Sequence, residues 1–141
     1  MSIMSSIMDT FPTPPCARTL GWKLLAHDAE RGFVRIEFEA KPEFVNPAGF
    51  VQGGFLAAML DDTMGPAALI KSQGRLFTAS IDMNVSFIAP ARPGKLYGEG
   101  EVVQLGKSIG FVEAKLFDGE GTLIARATSS ARLVPTDALG K

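Results

Sequence analysis

The chain has 141 residues, a net charge of -1, one cysteine and one histidine. That length is one domain with room for a sizeable core, and an apolar fraction of 46% is that of a folded globular protein. The near-neutral charge, with no basic or acidic run, argues against non-specific binding to nucleic acid or anionic membrane. A lone Cys16 excludes a disulfide within the chain and a Cys-rich metal site.

The first residues carry no basic n-region and no long apolar stretch. Neither a signal peptide nor a transmembrane span is expected, and the cytoplasm is the default location. Over residues 2–11, Ile3, Met4, Ile7 and Met8 fall on one side of a short amphipathic helix. Pro12, Pro14 and Pro15 end it. In Thr19–His27, Leu20, Trp22, Leu24 and Ala26 share one face of a strand. Glu30-Arg31-Gly32 turns the chain. Val34, Ile36, Phe38 and Ala40 then alternate with Arg35, Glu37, Glu39 and Lys41, a half-buried strand that makes a hairpin with the first.

Asn46-Pro47-Ala48-Gly49-Phe50-Val51-Gln52-Gly53-Gly54 reads as a loop entering a helix. The run from Gly54 to about Ile70 is rich in Ala, Leu and Met and lacks strand alternation, so it is the one long helix. Gly53-Gly54 stands where a helix leaves its first N–H groups without intrahelical acceptors. Asp61 and Asp62 interrupt the apolar helix, and buried carboxylates need a partner or a use. Gly65-Pro66 is expected to kink or break the helix.

Strand patterns fill the rest. Ile81, Met83, Val85 and Phe87 alternate with Asp82, Asn84 and Ser86, and Pro90 and Pro93-Gly94 close that strand. Leu96–Leu105 follows, turned by Gly106-Lys107-Ser108. Val112, Ala114 and Leu116 mark another strand, and Asp118-Gly119-Glu120-Gly121 is a hairpin turn. Leu123 to Leu133 is the last strand, and Pro135–Lys141 is expected to be loose. The expected order is a hairpin, one helix and a meander of four strands, with no internal repeat. That is an α+β fold with an antiparallel sheet of about six strands. One helix covers one face of such a sheet; self-association is the simplest cover for the other.

Val51-Gln52-Gly53-Gly54, with Asn46 upstream and Asp61 eight residues after Gly53, resembles the hotdog-fold acyl-CoA thioesterases of the phenylacetate-pathway (PaaI) type. Thr78 to Ala91 is similar to that family's strand after the helix. The likeness covers roughly residues 20–134, within a single domain over 1–141, and implies a sheet wrapped around one central helix. It departs at Gln52, where the family usually has His; a Gln amide can donate a hydrogen bond but cannot carry a proton at neutral pH.

The resemblance implies hydrolysis of an acyl-CoA to free acid and coenzyme A. Asp61 is then the general base or nucleophile. The Gly53 N–H is the oxyanion donor. Asn46 and Gln52 contact the carbonyl or water, and Ser80 orients the water or the carboxylate. Asp62 becomes a neighbour that raises the pKa of Asp61. Gly54, Phe50, Phe55, Met59 and Met64 line the substrate site, and Lys107, with Arg92 and Lys95, touches coenzyme A phosphate. No metal and no cofactor beyond the substrate's own coenzyme A is expected. Relatives form homodimers or dimers of dimers (homotetramers), with sites where protomers meet. The residues by themselves leave alternatives open: Gly53-Gly54 as a tight packing contact, Asp61 and Asp62 as a solvated edge, Asn46 as a turn residue, Lys107 as a solvated turn lysine. A second functional class also stands, a non-catalytic hotdog module that binds acyl-CoA or a lipid-like ligand. His27, the only histidine, and Cys16 fit no nucleophile motif; both are read as structural.

Overall fold

The computed structural model describes residues 13–139. The helix expected over residues 2–11 and the last two residues lie outside that range. The elements are α1 (Pro15–Thr19), β1 (Lys23–Asp28), β2 (Phe33–Ala40), a 3-10 turn (Pro42–Phe44), α2 (Gly53–Lys71), β3 (Leu76–Phe87), β4 (Gly94–Leu105), β5 (Ile109–Asp118), β6 (Leu123–Pro135) and a 3-10 turn at Thr136–Ala138.

The chain does not enter a strand at Thr19. Pro15 takes the first helical position of α1, where its missing N–H costs nothing, and Ala17 and Leu20 are buried beneath it. The alternation from Leu20 to Ala26 matches a strand period, but the ladder with β2 begins at Lys23, and before it the Leu20 carbonyl accepts the Glu39 N–H at 2.8 Å. The end of the chain is also better anchored than its composition suggests. The Thr136 N–H donates to the Arg75 carbonyl at 2.9 Å and its hydroxyl to the Gly74 carbonyl at 2.7 Å.

All six strands form one antiparallel sheet in the order β1-β2-β4-β5-β6-β3. The expected four-strand meander is therefore only three strands long. β4, β5 and β6 pair in sequence, but β3 pairs with β6 and β4 pairs with β2. The link from β3 to β4 does not close as a hairpin. The Ile88 and Ala89 N–H groups both donate to the Ile124 carbonyl, at 2.8 and 3.1 Å, and Pro90 and Pro93 extend the chain away from β3. β3 is left at an edge. A bulge between Ser80 and Asp82 breaks its alternation, so Ile81 (59% exposed) faces solvent, while Met83 and Val85 pack on the core and the half-exposed Phe87 ring lies against Gly53.

The sheet curls around α2. Val34, Ile36, Phe38 and Ala40 of β2 point at the helix and are almost completely buried, as are Leu56, Met59, Leu60, Met64, Ala67, Ala68 and Ile70 of α2. The closest approach is at Thr63, fully buried, whose hydroxyl donates to the Met59 carbonyl at 2.8 Å. It lies over Gly98 and Gly100 of β4. A Cβ at 98 would meet Thr63 Oγ1 at 2.3 Å, and one at 100 would meet the Thr63 carbonyl oxygen at 2.9 Å. These two glycines set how deeply the helix sinks into the sheet. The outward face is mixed: Phe111 is exposed on it, beside ion pairs. Arg35 pairs with Glu99, Arg31 with Glu101, and Lys95 with Glu37 and Glu39. No described helix is long and apolar enough to cross a membrane.

Pro66 lies inside α2, yet the helix runs unbroken to Lys71. A proline at 66 cannot donate to the carbonyl four residues back, that of Asp62. The indole N–H of Trp22 does so instead, at 3.1 Å. The expected break is thus replaced by a bond from outside the helix. This exchange is measurable. Trp22→Phe is expected to cost about 1 kcal/mol for the lost bond plus packing. In a Pro66→Ala background the backbone N–H restored at that position can serve the same carbonyl, so the same substitution costs measurably less. Equal costs in urea unfolding of both pairs would contradict the exchange.

Candidate active site

Two groups of residues carry the chemistry, at different places on α2. The first is the loop that enters the helix. Asn46 organises it: its Oδ1 accepts the Ala48 and Phe50 N–H groups at 3.0 and 3.2 Å, and its own N–H donates to the Phe50 carbonyl at 2.7 Å. The loop is stitched down by Val51, whose N–H donates to the Ala91 carbonyl at 2.8 Å, and by Gln52, whose N–H donates to the Phe44 carbonyl at 2.9 Å. Asn46 therefore is a turn residue, and its side-chain NH₂ remains without a hydrogen-bond acceptor among the described residues. Gln52 is the helix N-cap, exposed, with no capping bond from its side chain.

Gly53 and Gly54 begin α2, and neither N–H reaches a backbone acceptor among the described residues. These are free donors at the positive end of a 19-residue helix. Gly53 is also close-packed: a Cβ there would lie 3.0 Å from the Phe87 ring, which would have to shift by a few tenths of an ångström, whereas Gly54 faces open space. A packing role and a donor role thus coexist at Gly53. Phe50 lies under the Arg92 guanidinium, 5.0 Å from the ring centroid, and Phe55 stacks on Phe44 with centroids 4.1 Å apart.

The second group lies two turns along. Asp61 is exposed, and the Ser80 hydroxyl of β3 donates to its Oδ1 at 3.0 Å. One carboxylate oxygen is thereby fixed and the other left available. Asp62 is half-buried, and its Oδ2 is sealed from solvent without a hydrogen-bond partner among the described residues. The two adjacent carboxylates differ because helix geometry turns them roughly 100° apart. The Asp62 carboxyl is pushed up, to about 6, first by its own burial and then by the Asp61 charge.

Asp61, Asp62 and Ser80 line a cavity of about 520 Å³ together with Trp22, Pro66, Leu69, Phe77, Thr78 and Leu139. Met59 and Met64, expected at the substrate site, are not among its walls. They are 0% and 3% exposed and pack in the core, because the helix face they occupy is the one the sheet covers. Trp22, Leu69 and Phe77 were missed; their signal, aromatic and aliphatic residues near the Asp61 turn, emerges only when β1 and β3 are folded against α2. Lys107 stands exposed in the β4–β5 turn and makes no ion pair among the described residues. Among the described residues no cluster of three or more His, Cys, Asp or Glu can hold a metal ion.

Comparison with known proteins decides the family. The thioesterase superfamily profile matches residues 48–125, from the loop through β3 and into β6. The chain belongs to the thioesterase superfamily. It is 30% identical to human acyl-coenzyme A thioesterase 13 over 118 residues, which span 82% of this chain and 83% of the relative. Among solved structures, a phenylacetic acid degradation-related protein of Ralstonia eutropha JMP134 superposes with a TM-score of 0.85 at 32% identity, over 93% of this chain and 99% of that one. The E. coli PaaI protein of the phenylacetic acid degradation operon shares the fold, with a TM-score of 0.81 at 17% identity over 94% and 96% of the two chains. The fold is the hotdog fold and the thioesterase is of the PaaI type, an enzyme that cleaves thioesters; the binding-module alternative falls with that assignment.

Burial of Asp62 has a pH signature in the thioesterase. Its folded pKa lies above the usual carboxylate value, so the folded state holds the proton longer than the unfolded chain. Stability therefore falls as pH rises from about 4 to 6, and the penalty is complete above that window. Asp62→Asn is expected to raise stability at pH 8 by roughly 1 kcal/mol, a figure discounted because the side chain is only half-buried. Near pH 3.5 the gain should vanish. Thermal melts at both pH values check this; an equal gain at both would assign it to packing.

Proposed function

We propose that this thioesterase hydrolyses acyl-CoA, with Asp61 as the group that activates water or attacks the carbonyl, at sites shared between two protomers. The observation that carries the reading is the Ser80–Asp61 hydrogen bond at the mouth of an apolar cavity. A carboxylate held by one oxygen is aimed, and an aimed base is what acyl transfer to water needs. The human relative is by name an acyl-coenzyme A thioesterase, and the same substrate class is assigned here. Coenzyme A enters as part of the substrate.

The steps balance simply. Water gives a proton to the Asp61 carboxylate as its oxygen bonds to the thioester carbon. The carbonyl oxygen takes the negative charge and is received by the Gly53 N–H at the start of α2. The C–S bond then breaks, and the thiolate of coenzyme A leaves and takes up the proton. With Asp61 as nucleophile, the same oxyanion site serves an anhydride that water later opens. Asn46 and Gln52 supply neutral amide donors beside Gly53. Neither donates a proton outright, and a thiolate, whose conjugate acid has a pKa of about 8.5, leaves without that help.

The two halves of the site do not meet within one chain. Gly53 and Asp61 are eight residues apart on one helix, about 12 Å along its axis, too far for both to serve one carbonyl. Pairing of two protomers along β3 supplies the missing half. β3 is a twelve-residue edge strand that exposes Phe77, Ile81 and Phe87; such an edge invites a second strand. It also carries Ser80, so joining two β3 strands places each Asp61 near the partner.

Asp61→Asn is expected to lower kcat about 10²- to 10⁴-fold, while Asp62→Asn lowers it far less. Steady-state kinetics on an acyl-CoA series checks this, and equal losses would remove Asp61 from its role. Gln52→His is expected to keep or raise turnover, since an imidazole also donates a hydrogen bond. A large loss of kcat in that variant would mean that the neutral amide is required.

A further inference from the structure

The cavity beside Asp61 has a composition that bears on which acyl groups the enzyme accepts. Its volume of about 520 Å³ lies within the range of about 300–1,000 Å³ typical of small-ligand sites. Asp61 and Ser80 line it as a hydrogen-bonded pair. Trp22, Pro66, Leu69 and Phe77 form walls that offer an acyl chain little besides carbon. Among the described residues, no Lys or Arg lines it.

Thr78 and Thr136 add neutral hydroxyl-bearing side chains, and besides Asp61 one charged group lines the cavity. Asp62 contributes a carboxyl whose Oδ2 is sealed and unpartnered among the described residues. A sealed oxygen cannot hydrogen-bond a substrate, but the half-buried carboxylate still acts on a neighbouring group through less screening than bulk water gives. It has no counter-ion among the described residues, whose ion pairs involve Arg31, Arg35 and Lys95 on the far face of the sheet. A buried charge that destabilises the fold and serves no contact is the kind of local cost that functional sites carry.

We infer that this cavity is the acyl pocket and that Asp62 makes it select neutral apolar acyl groups and reject acyl groups ending in a carboxylate. The inference rests on the Asp61-centred reading of hydrolysis given above. An acyl chain whose carbonyl sits at Asp61 runs past Asp62 towards Leu69. A neutral chain is desolvated there at no electrostatic cost. A chain of the same length with a terminal carboxylate loses its hydration and also meets a like charge. The apolar walls give size selection, and Asp62 gives charge selection by repulsion.

Three substrates separate these contributions: acetyl-CoA, hexanoyl-CoA and adipyl-CoA, the last two having the same number of acyl carbons. kcat/KM is measured at pH 8, where the Asp62 carboxyl is ionised. The wild type is expected to prefer hexanoyl over adipyl by far more than ten-fold. Asp62→Asn, a near-isosteric change, should raise kcat/KM for adipyl-CoA and shrink the hexanoyl-to-adipyl ratio by about ten-fold or more. Leu69→Trp should fill the pocket and reduce the hexanoyl-to-acetyl ratio about ten-fold; Leu69→Phe should shift it less in the same direction. A wild type that cleaves adipyl- and hexanoyl-CoA equally well overturns the inference without any variant. So does a hexanoyl-to-adipyl ratio unmoved by Asp62→Asn, or a hexanoyl-to-acetyl ratio unmoved by both Leu69 variants. In those cases hydrolysis by Asp61 still stands. A wild type that cleaves no acyl-CoA overturns both readings together.

Discussion

The contact between Thr63 and the two glycines of β4 fixes the rest of the molecule. With any Cβ at position 98 or 100 the helix would have to rise off the sheet. Because it does not, Thr63 is locked against the sheet with no exposure. The helix then has one rotation open to it, at roughly 100° per residue. Asp61, two residues earlier, comes out on the far side, within reach of Ser80. Asp62 falls on the flank, half-covered by the neighbouring elements. Two carboxylates adjacent in sequence thus acquire different environments from a single packing contact.

A second constraint follows from Pro66. It leaves the Asp62 carbonyl without its helical donor, and Trp22 fills the vacancy. That bond ties the approach to β1, from the opposite end of the sheet order, to the turn of α2 that carries the carboxylates. The cavity exists because of this tie. Trp22 comes from one edge of the sheet and Phe77 and Ser80 from the other, and both reach the same stretch of helix only because the sheet wraps around it. The same wrapping leaves β3 as an unpaired edge beside the site, so the surface that invites a partner and the surface that holds Asp61 and Ser80 are one region.

Much of this was legible in the amino-acid sequence. The α+β class, the central helix and the loop from Asn46 to Gly53 follow from local composition and turn chemistry; Asp61 and Asp62 stood out together as carboxylates in an apolar run, and only the family resemblance chose Asp61. The position of β3 was not legible, since its pairing with β6 rather than β4 depends on contacts between residues 38 (Phe87 and Ala125) to 59 (Leu76 and Pro135) positions apart and not on its own pattern. Its alternation misled for a local reason: the bulge at Ser80–Asp82 turns Ile81 outward. The path through Pro66 was hidden because its remedy, Trp22, is distant in sequence. Met59 and Met64 looked like flexible pocket residues, but the exposed stripe of α2 is made of Gly54, Ala58 and Asp61, small residues that carry no hydrophobic signal. The unequal fates of Asp61 and Asp62 depend on helix rotation, which adjacent positions in a sequence do not reveal.

In the shared-site arrangement, one site takes Gly53 with its loop from one chain and Asp61 from another. That arrangement is tested most directly by mixing two inactive parents. An Asn46→Ala chain and an Asp61→Asn chain are unfolded together, refolded and compared with each parent treated alone, with exchange of chains confirmed by mass. If the site is shared, each mixed dimer holds one doubly altered site and one intact site. Random pairing makes half of the dimers mixed, so activity should recover to about a quarter of wild type per chain. If both groups act within one chain, every site in every dimer keeps a lesion. No recovery from two clearly impaired parents that have exchanged would contradict the shared site and return Asn46 and Asp61 to a single subunit.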